Sequence, residues 1–398
     1  MLLSIIIVNY NVKYFLEQCL CSVEAALRTE GLVEIPGNSP DEDGVEIFVV
    51  DNGSRDGSAE WLPSRFPAVQ LIINKENRGF AAANNQALAK ANGKYILFLN
   101  PDTILPEDYF SICISFMGST PGCGAIGARM VDGGGHFLKE SRRGFPTPWV
   151  AFCKLSGLTA VFPRSRLFAG YYLGHLPEEQ THPAPILSGA CMFVRKLALD
   201  KTGGFDERFF MYAEDIDLSH RIGQAGYVNY YMATTTILHF KGESTPKNAR
   251  YVKLFYKAMS QFKRKHFGRR LSWIFDVLTE MAIWLRAGMT GIGNLFRKPP
   301  DENKASKQRL WIDGDPANAD SLKALLIPMK RFIAPDPGQA TAIIFCEGNS
   351  FSFKQIITRI IMSAQESRPR PAYKIHAAGT SSAVGSQSKD GQGDTIVL

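Results

Sequence analysis

Leu3–Val8 is an isoleucine-rich, almost unbroken apolar run, the pattern of a strand buried on both faces of a parallel sheet. Asn11 is placed to cap a following helix, in which Val12, Phe15, Leu16, Cys19, Leu20, Val23 and Leu27 recur every three or four residues. An acidic loop with Gly and Pro, residues 31–44, leads to a second strand over Val45–Val50. A short helix follows Asp51–Ser58, then a third strand near Val69–Ile73. Asn77-Arg78-Gly79-Phe80 opens another helix reaching about Lys90, and Tyr95–Leu99 is a fourth strand ending at Asn100-Pro101-Asp102. Four β–α alternations in the first hundred residues predict a doubly wound α/β sheet.

Beyond residue 120 the pattern turns mixed. Cys123–Val131 and His136–Leu138 flank Gly133-Gly134-Gly135 and read as a hairpin. Residues 141–185 are irregular and rich in Pro, Gly, aromatics and arginine, the character of a binding loop or lid. Pro185–Lys196 reads as strand and turn, and two strands are expected at Tyr227–Met232 and Thr234–His239. Thr245-Pro246 then starts a helix with Tyr251, Leu254, Phe255, Ala258, Met259 and Phe262 on one face. A second stripe, from Leu271 through Ile274, Phe275, Leu278, Met281, Leu285 and Met289 to Ile292, follows a basic cluster. It fits a helix lying on anionic lipid or one packed on the preceding domain. The division expected is 1–243, 244–298 and 299–398. In the last part only Thr341–Cys346 and Ser352–Ala364 show a strand or helix pattern, and the Ser/Gly/Gln-rich 379–393 is expected to be mobile.

Composition narrows the class. The 398 residues are 45% hydrophobic and 21% charged, an ordinary folded protein and long for one core. Seven cysteines without a CxxC pair fit reduced thiols in a cytoplasmic protein. The net charge of +7, clustered near 263–270 and 297–298, suits an anionic membrane surface at the cytoplasmic face better than nucleic acid. The apolar start is too short for a signal segment, and no run of eighteen uncharged apolar residues suggests a membrane span.

The polar clusters Asn9–Asn11, Asp51–Ser58, Asn77–Phe80 and Asn100–Asp102 all fall just after strands, so they converge on one crevice at the carboxyl edge of the sheet. Asp102 could hold a hard divalent cation together with phosphate oxygens. Asp51 is placed to accept hydrogen bonds from a base or ribose, and His239 reads as either a metal ligand or a structural histidine. Glu214, Asp215 and Asp217 stand at a helix start behind an aromatic-rich loop. They read either as a general-base site or as a solvated, well-capped helix.

Five segments occur in order: Ser4-Ile-Ile-Ile-Val-Asn-Tyr-Asn11, Val50-Asp-Asn-Gly-Ser-Arg-Asp-Gly-Ser58, Asn77-Arg-Gly-Phe-Ala-Ala-Ala-Asn84, Phe98-Leu-Asn-Pro-Asp102, and Gly204-Phe-Asp with Glu214-Asp-Ile-Asp217. Together they resemble the family 2 glycosyltransferases of the GT-A fold, in a rhamnosyltransferase-like bacterial branch, over roughly residues 1–265. The resemblance implies inverting transfer from a nucleotide-diphosphate sugar, with a deoxysugar such as rhamnose favoured, to a glycan or lipid-linked glycan acceptor. Asn9, Tyr10 and Asp51 would line the nucleoside pocket, with Asn77, Gly79 and Asn84 close to the donor. Asn100-Pro101-Asp102 stands where the family has its DxD motif, which makes Asp102 the ligand of Mg2+ or Mn2+ and leaves Asn100 in the first acidic place. His239 matches a histidine that completes the metal site in some relatives, and Asp215 matches the general base. Glu214 is then placed to orient the acceptor, Asp217 to pair with Arg221 one turn on, and Arg78, Arg142 and Arg143 either to hold diphosphate or to remain surface charges. Two rival readings are a sugar nucleotidyltransferase, which needs a glycine-rich loop where Asn9-Tyr10-Asn11 stands, and a non-catalytic membrane-associated scaffold, which would not depend on Asp102 or Asp215.

Overall fold

Side-chain alternation along the first strands divides the core in two. In β1 (Leu3–Asn9), Leu3, Ile5 and Ile7 enter one apolar cluster while Ile6 and Val8 enter another, as period-two geometry requires. The computed structural model describes residues 1–32, 44–240, 249–267, 308–366, 370–386 and 393–398, with the isolated positions 277 and 281. After β1 come α1 (Lys13–Thr29), β2 (Val45–Asp51), α2 (Ser58–Arg65), β3 (Gln70–Ile73), α3 (Phe80–Leu88) and β4 (Tyr95–Leu99). The chain continues through β5 (Thr103–Ile104), α4 (Tyr109–Ser119), β6 (Cys123–Val131), β7 (Arg142–Arg143), α5 (Pro148–Leu155) and α6 (Leu158–Val161). Then follow β8 (His182–Pro183), β9 (Ile186–Leu187), β10 (Cys191–Arg195), α7 (Lys196–Thr202), α8 (Glu214–Gln224), β11 (Val228–His239) and α9 (Ala249–His266).

The expected α/β sheet forms. β3, β2, β1 and β4 are parallel neighbours, β10 enters antiparallel beside β4, and β6, β11 and β5 complete the row, with β8 against β11. Residues of α1, α2 and α4 fill one face, and those of α3, α7 and α8 the other. All seven cysteines are free and buried. Among the described residues no helix is long and apolar enough to cross a membrane.

Four local expectations change. Asn11 does not cap α1: it takes a left-handed φ of 55° and its side-chain oxygen accepts the Arg55 N–H at 2.7 Å, while α1 starts after Val12 with no side-chain cap. The hairpin at 123–138 reduces to a glycine turn closed by a single Val131–Phe137 bridge, because β6 pairs instead with β10 and β11. The two strands expected at 227–239 are one strand, β11, whose register slips between Met232 and Thr236; such an irregularity bends a strand without ending it. The irregular stretch 141–185 contains the short helices α5 and α6. The loop residues 33–43, Gly242-Glu243-Ser244, Thr245-Pro246, the stripe of residues 271–292 apart from 277 and 281, and the linker residues 297–307 lie outside the described residues.

The tail holds far more structure than its pattern suggested. It forms β12 (Arg309–Gly314), α10 (Pro316–Leu326), β13 (Phe332–Ile333), β14 (Ala342–Cys346), α11 (Phe353–Ala364), β15 (Ala372–His376), β16 (Ser382–Gly385) and β17 (Asp394–Val397). These strands build a second, six-stranded sheet in the order β13-β12-β14-β15-β16-β17. Its strands escape pattern reading because they bury polar groups: Lys374 in β15 is 1% exposed and donates to the Asp394 carbonyl at 2.8 Å. Within the stretch expected to be mobile, Ser382–Gly385 is a fully buried strand, and residues 387–392 lie outside the described set.

Phe353, Ile356, Ile357 and Ile360 of α11 share one apolar cluster with α1 and α4 of the first sheet. Glu107 accepts the Phe353 and Lys354 N–H groups at 2.7 and 2.9 Å, so a carboxylate from the first part closes the N-terminus of α11. Gln18, fully buried on α1, donates to Thr380 Oγ1 and the Ser382 carbonyl and accepts the Ala377 N–H at 2.8 Å. Replacing Gln18 by Leu strands these buried groups and is expected to cost about 1–3 kcal/mol, read as a lower denaturant midpoint; an unchanged midpoint would show that the tail's contact is not energetically coupled.

Candidate active site

Polar networks form where the strands end. Asn9, at the end of β1 and fully buried, donates from Nδ2 to Asp51 Oδ2 at 3.0 Å and to Ser58 Oγ at 2.8 Å. Asp51, 2% exposed, also accepts the Ser54 N–H at 2.9 Å. Asn52 carries this network outward: its Nδ2 donates to Asn77 Oδ1 at 3.1 Å, and its Oδ1 accepts from Asn74 Nδ2 and the Arg78 N–H. Asn77 Oδ1 in turn accepts the Gly79 N–H at 2.9 Å. The loops after β1, β2 and β3 are thereby held as one surface. Asn84 sits behind it, 1% exposed, with its amide donating to the Phe80 carbonyl, and the Arg78 side chain is exposed.

Gly79 joins this surface to the far loop. Its φ is +88°, and a Cβ there would lie 2.5 Å from the Phe210 carbonyl oxygen, a distance no side chain tolerates. The same carbonyl accepts the Phe80 N–H at 2.9 Å. Phe210 therefore binds the start of α3, and Tyr212 and Ala213, two and three residues on, are left-handed at φ 72° and 68°. Two consecutive non-glycine residues in that region store about 1–3 kcal/mol each, held by these contacts, and they aim the start of α8.

Asp102 and His239 meet where β5 pairs with the end of β11. Asp102 follows β4 and is 4% exposed; His239 ends β11 and is 7% exposed. β5 pairs with β11 through Thr103–His239, and the Phe240 N–H donates to the Asp102 carbonyl at 3.0 Å. The side chains follow, with His239 Nε2 at 3.3 Å from Asp102 Oδ1. Among the described residues no group of three or more His, Cys, Asp or Glu side chains is arranged for a metal ion.

At α8 the three carboxylates separate by environment. Asp215 is gripped by Arg143, whose guanidinium donates to Oδ2, by the Gly189 N–H at 3.2 Å and by the Ile216 N–H at 2.8 Å. Burial works against the Arg143 charge, yet the Asp215 carboxylate holds its pKa above the usual guanidinium value. Glu214 is buried, its Oε2 has no partner among the described residues, and burial together with the neighbouring Asp215 charge pushes its pKa well up. Asp217 is fully buried and accepts from Arg221, Lys265 and His266 at 2.7, 2.6 and 2.7 Å. The helical pair expected with Arg221 is real, but it is part of a buried hub and not a surface contact.

The segment Ser188–Ala190 bridges the two halves. The Asn100 N–H donates to the Ala190 carbonyl at 2.8 Å, one residue from the Gly189 N–H that holds Asp215. Asn9, Asp51, Asn77, Gly79, Asn100, Asp102, His239 and Asp215 therefore belong to one connected edge, while Asn84 is buried in its support. Arg142 is turned away: its guanidinium donates to the Pro177 and Leu176 carbonyls, at 2.5 and 2.7 Å, and stacks over Tyr231. Asn52, Gly189 and the Arg143–Asp215 pair were not singled out by sequence. The available signal was the adjacent Arg142-Arg143, since neighbouring strand residues face opposite sides.

A family model described as "Glycosyl transferase family 2" matches residues 4–203. An N-acetylglucosaminyl-diphospho-decaprenol L-rhamnosyltransferase of Mycobacterium tuberculosis is 29% identical over 261 residues, 62% of this chain and 78% of that protein. Rhamnosyltransferase WbbL of Escherichia coli is 29% identical over 172 residues, 41% of this chain and 61% of its own length. Among solved structures, a mannosyltransferase from Pyrobaculum calidifontis in complex with GDP-Man and Mn2+ is 17% identical, with an alignment that covers 82% of this chain and 79% of that one and a TM-score of 0.44, a loose likeness.

Proposed function

This chain belongs to glycosyl transferase family 2, and from that premise we propose that it transfers a deoxyhexose, rhamnose, from a nucleotide-diphosphate donor to a hydroxyl of a lipid-linked glycan, with Asp215 as base. The observation that carries the catalytic reading is the setting of Asp215. A carboxylate offers about four lone-pair positions, and three N–H groups already orient this one, so a position is left for an acceptor hydroxyl. Arg143 sets its positive charge against this carboxylate, and burial together with the Asp215 charge pushes the pKa of Glu214 up. Asp215 then takes the hydroxyl proton as the oxygen attacks the anomeric carbon from the face opposite the leaving diphosphate. The sugar and the lipid-linked acceptor are supported by the names of the relatives above.

Asp102 and His239 fit a divalent cation. Octahedral metal–ligand distances of about 2.1 Å put neighbouring ligand atoms about 3 Å apart, close to the 3.3 Å between Asp102 Oδ1 and His239 Nε2. Two protein ligands also suffice where substrate phosphates complete the shell. When bound, Mg2+ or Mn2+ supplies positive charge beside the leaving diphosphate. In this reading the half-buried Tyr10 and Asn77 face the nucleoside, while the buried Asn9 and Asp51 brace the loops behind them.

Purified protein assayed on a lipid-linked N-acetylglucosaminyl diphosphate with a panel of donors is expected to prefer dTDP-rhamnose. Equal or faster transfer from UDP- or GDP-hexoses would remove the deoxyhexose assignment. Asp102→Ala, or chelation of the cation, is expected to lower the rate at least about 10²-fold, in line with several kcal/mol of charge stabilisation. Titration of Mn2+ binding checks the site without turnover: wild-type affinity in both Asp102→Ala and His239→Ala would rule it out.

A further inference from the structure

Between Ser141 and Pro177 the chain carries five cations, Arg142, Arg143, Lys154, Arg164 and Arg166, and not one Asp or Glu. The middle of that stretch, α5, α6 and the loop to Phe168, is also where large apolar side chains face outward. Trp149, Val161, Phe162 and Leu167 are 41, 58, 47 and 60% exposed. They belong to one patch: Trp149 stacks on Phe152 with centroids 5.6 Å apart and meets Phe168 at 6.2 Å, and Phe162 meets Phe168 at 5.2 Å. Trp149 still satisfies its indole N–H, on the Leu167 carbonyl at 3.0 Å. Arg164 and Arg166 are exposed within the patch and make no ion pair with any described residue.

We propose that this α5–α6 hairpin is the surface by which the protein rests on an anionic bilayer. Aromatic rings with satisfied polar tips and flanking arginines are the chemistry of the headgroup boundary, where the rings enter the acyl margin and the cations meet phosphates. The exposed Arg164 and Arg166 call for an anionic partner, and a bilayer with anionic headgroups supplies that charge on the same surface that accepts the apolar rings. The patch also continues inward. Next to it lies a cavity of about 670 Å³ whose wall includes Lys139, Arg142, Arg164 and His175, against Glu178 and Glu179. Arg142 faces that cavity while its neighbour Arg143 holds Asp215, so the hairpin joins a lipid surface to the base by way of one two-residue strand. This extends the reading of a lipid-linked acceptor, but its test needs neither donor nor acceptor. The stripe expected to touch lipid from sequence, residues 271–292, is a different segment.

The test is flotation of the full chain with phosphatidylcholine vesicles and with vesicles that also contain phosphatidylglycerol. The chain is expected to float with the anionic vesicles and only weakly with the neutral ones. Val161→Ser with Phe162→Ser and Leu167→Ser should reduce partitioning about tenfold or more. Arg164→Glu with Arg166→Glu should abolish the preference for anionic vesicles. The apolar triple variant should retain wild-type turnover on a water-soluble acceptor, which also shows that it folds. Absence of flotation in the wild type overturns the proposal, as does undiminished flotation of both variants. A chain that floats as expected yet glycosylates no lipid-linked acceptor overturns the acceptor reading and leaves the membrane contact standing.

Discussion

Asp215→Asn is expected to lower the transfer rate by about 10²–10⁴-fold, the range general-base catalysis supplies, with little change in donor affinity. Asparagine keeps the volume and an oxygen that can accept from Gly189, but it has neither the charge nor the basicity to take a proton. It also leaves Arg143 without its counter-charge. Arg143 still donates to the Leu187 carbonyl at 2.8 Å, so the variant should fold with a reduced thermal midpoint. Removing one end of a buried pair is costlier than removing both. Adding Arg143→Met to Asp215→Asn should therefore recover stability while transfer stays at the single-variant level. Full activity in folded Asp215→Asn, or activity regained together with stability in the double variant, would refute the base assignment and leave Asp215 a structural carboxylate.

Asp217→Asn should have the largest effect on stability. Its carboxylate is fully buried, and replacing it leaves Arg221 without its counter-charge and Lys265 with Asp206 alone, at 2.7 Å; about 3–5 kcal/mol is the usual scale for breaking a buried pair. Because Lys265 and His266 belong to α9, the variant should also free that helix, seen as faster amide exchange over residues 257–267. Acid should act in the same direction. Burial tends to raise the Asp217 pKa, but Lys265, Arg221 and His266 outweigh it and hold the group below its ordinary value. A depressed folded pKa contributes stability that is present above the unfolded value of about 3.9 and lost as pH falls through the folded one. Stability measured by denaturant titration should thus fall below about pH 4 in the wild type, and less steeply in Asp217→Asn. Parallel pH curves for the two proteins would mean that the hub does not report on Asp217.

The stripes and runs that define β1, β2, β4, α1 and α8 were legible because each is a local pattern: a period of two or of about 3.6, with polar residues where the element stops. That the polar clusters after β1, β2 and β4 share one edge follows from the same logic, since parallel strands end on the same side of a sheet. Other errors have equally local causes. Asn11 has the chemistry of a cap, but the loop after β2 offers its oxygen a better donor in Arg55. The slip within β11 looked like a turn because a bulge interrupts the alternation as a turn does. The second sheet escaped because Lys374 and His376 read as surface residues until Asp394 and Ser382 supply their partners.

By itself, then, the sequence determined the elements, the order of the five motifs and the residue types gathered at the carboxyl edge of the sheet. The tertiary structure alone decided the pairings. Asp215 finds Arg143 across 72 positions and Gly189 across 26, and α11 finds Glu107 across 246. A period in the sequence records which face a side chain takes, and a cap records where an element ends. Which faces meet depends on strand order and loop closure, a choice made by the whole chain at once. It is that choice which divided three neighbouring carboxylates on one helical turn into a buried acid with a raised pKa, an oriented carboxylate and the hub that fastens α9.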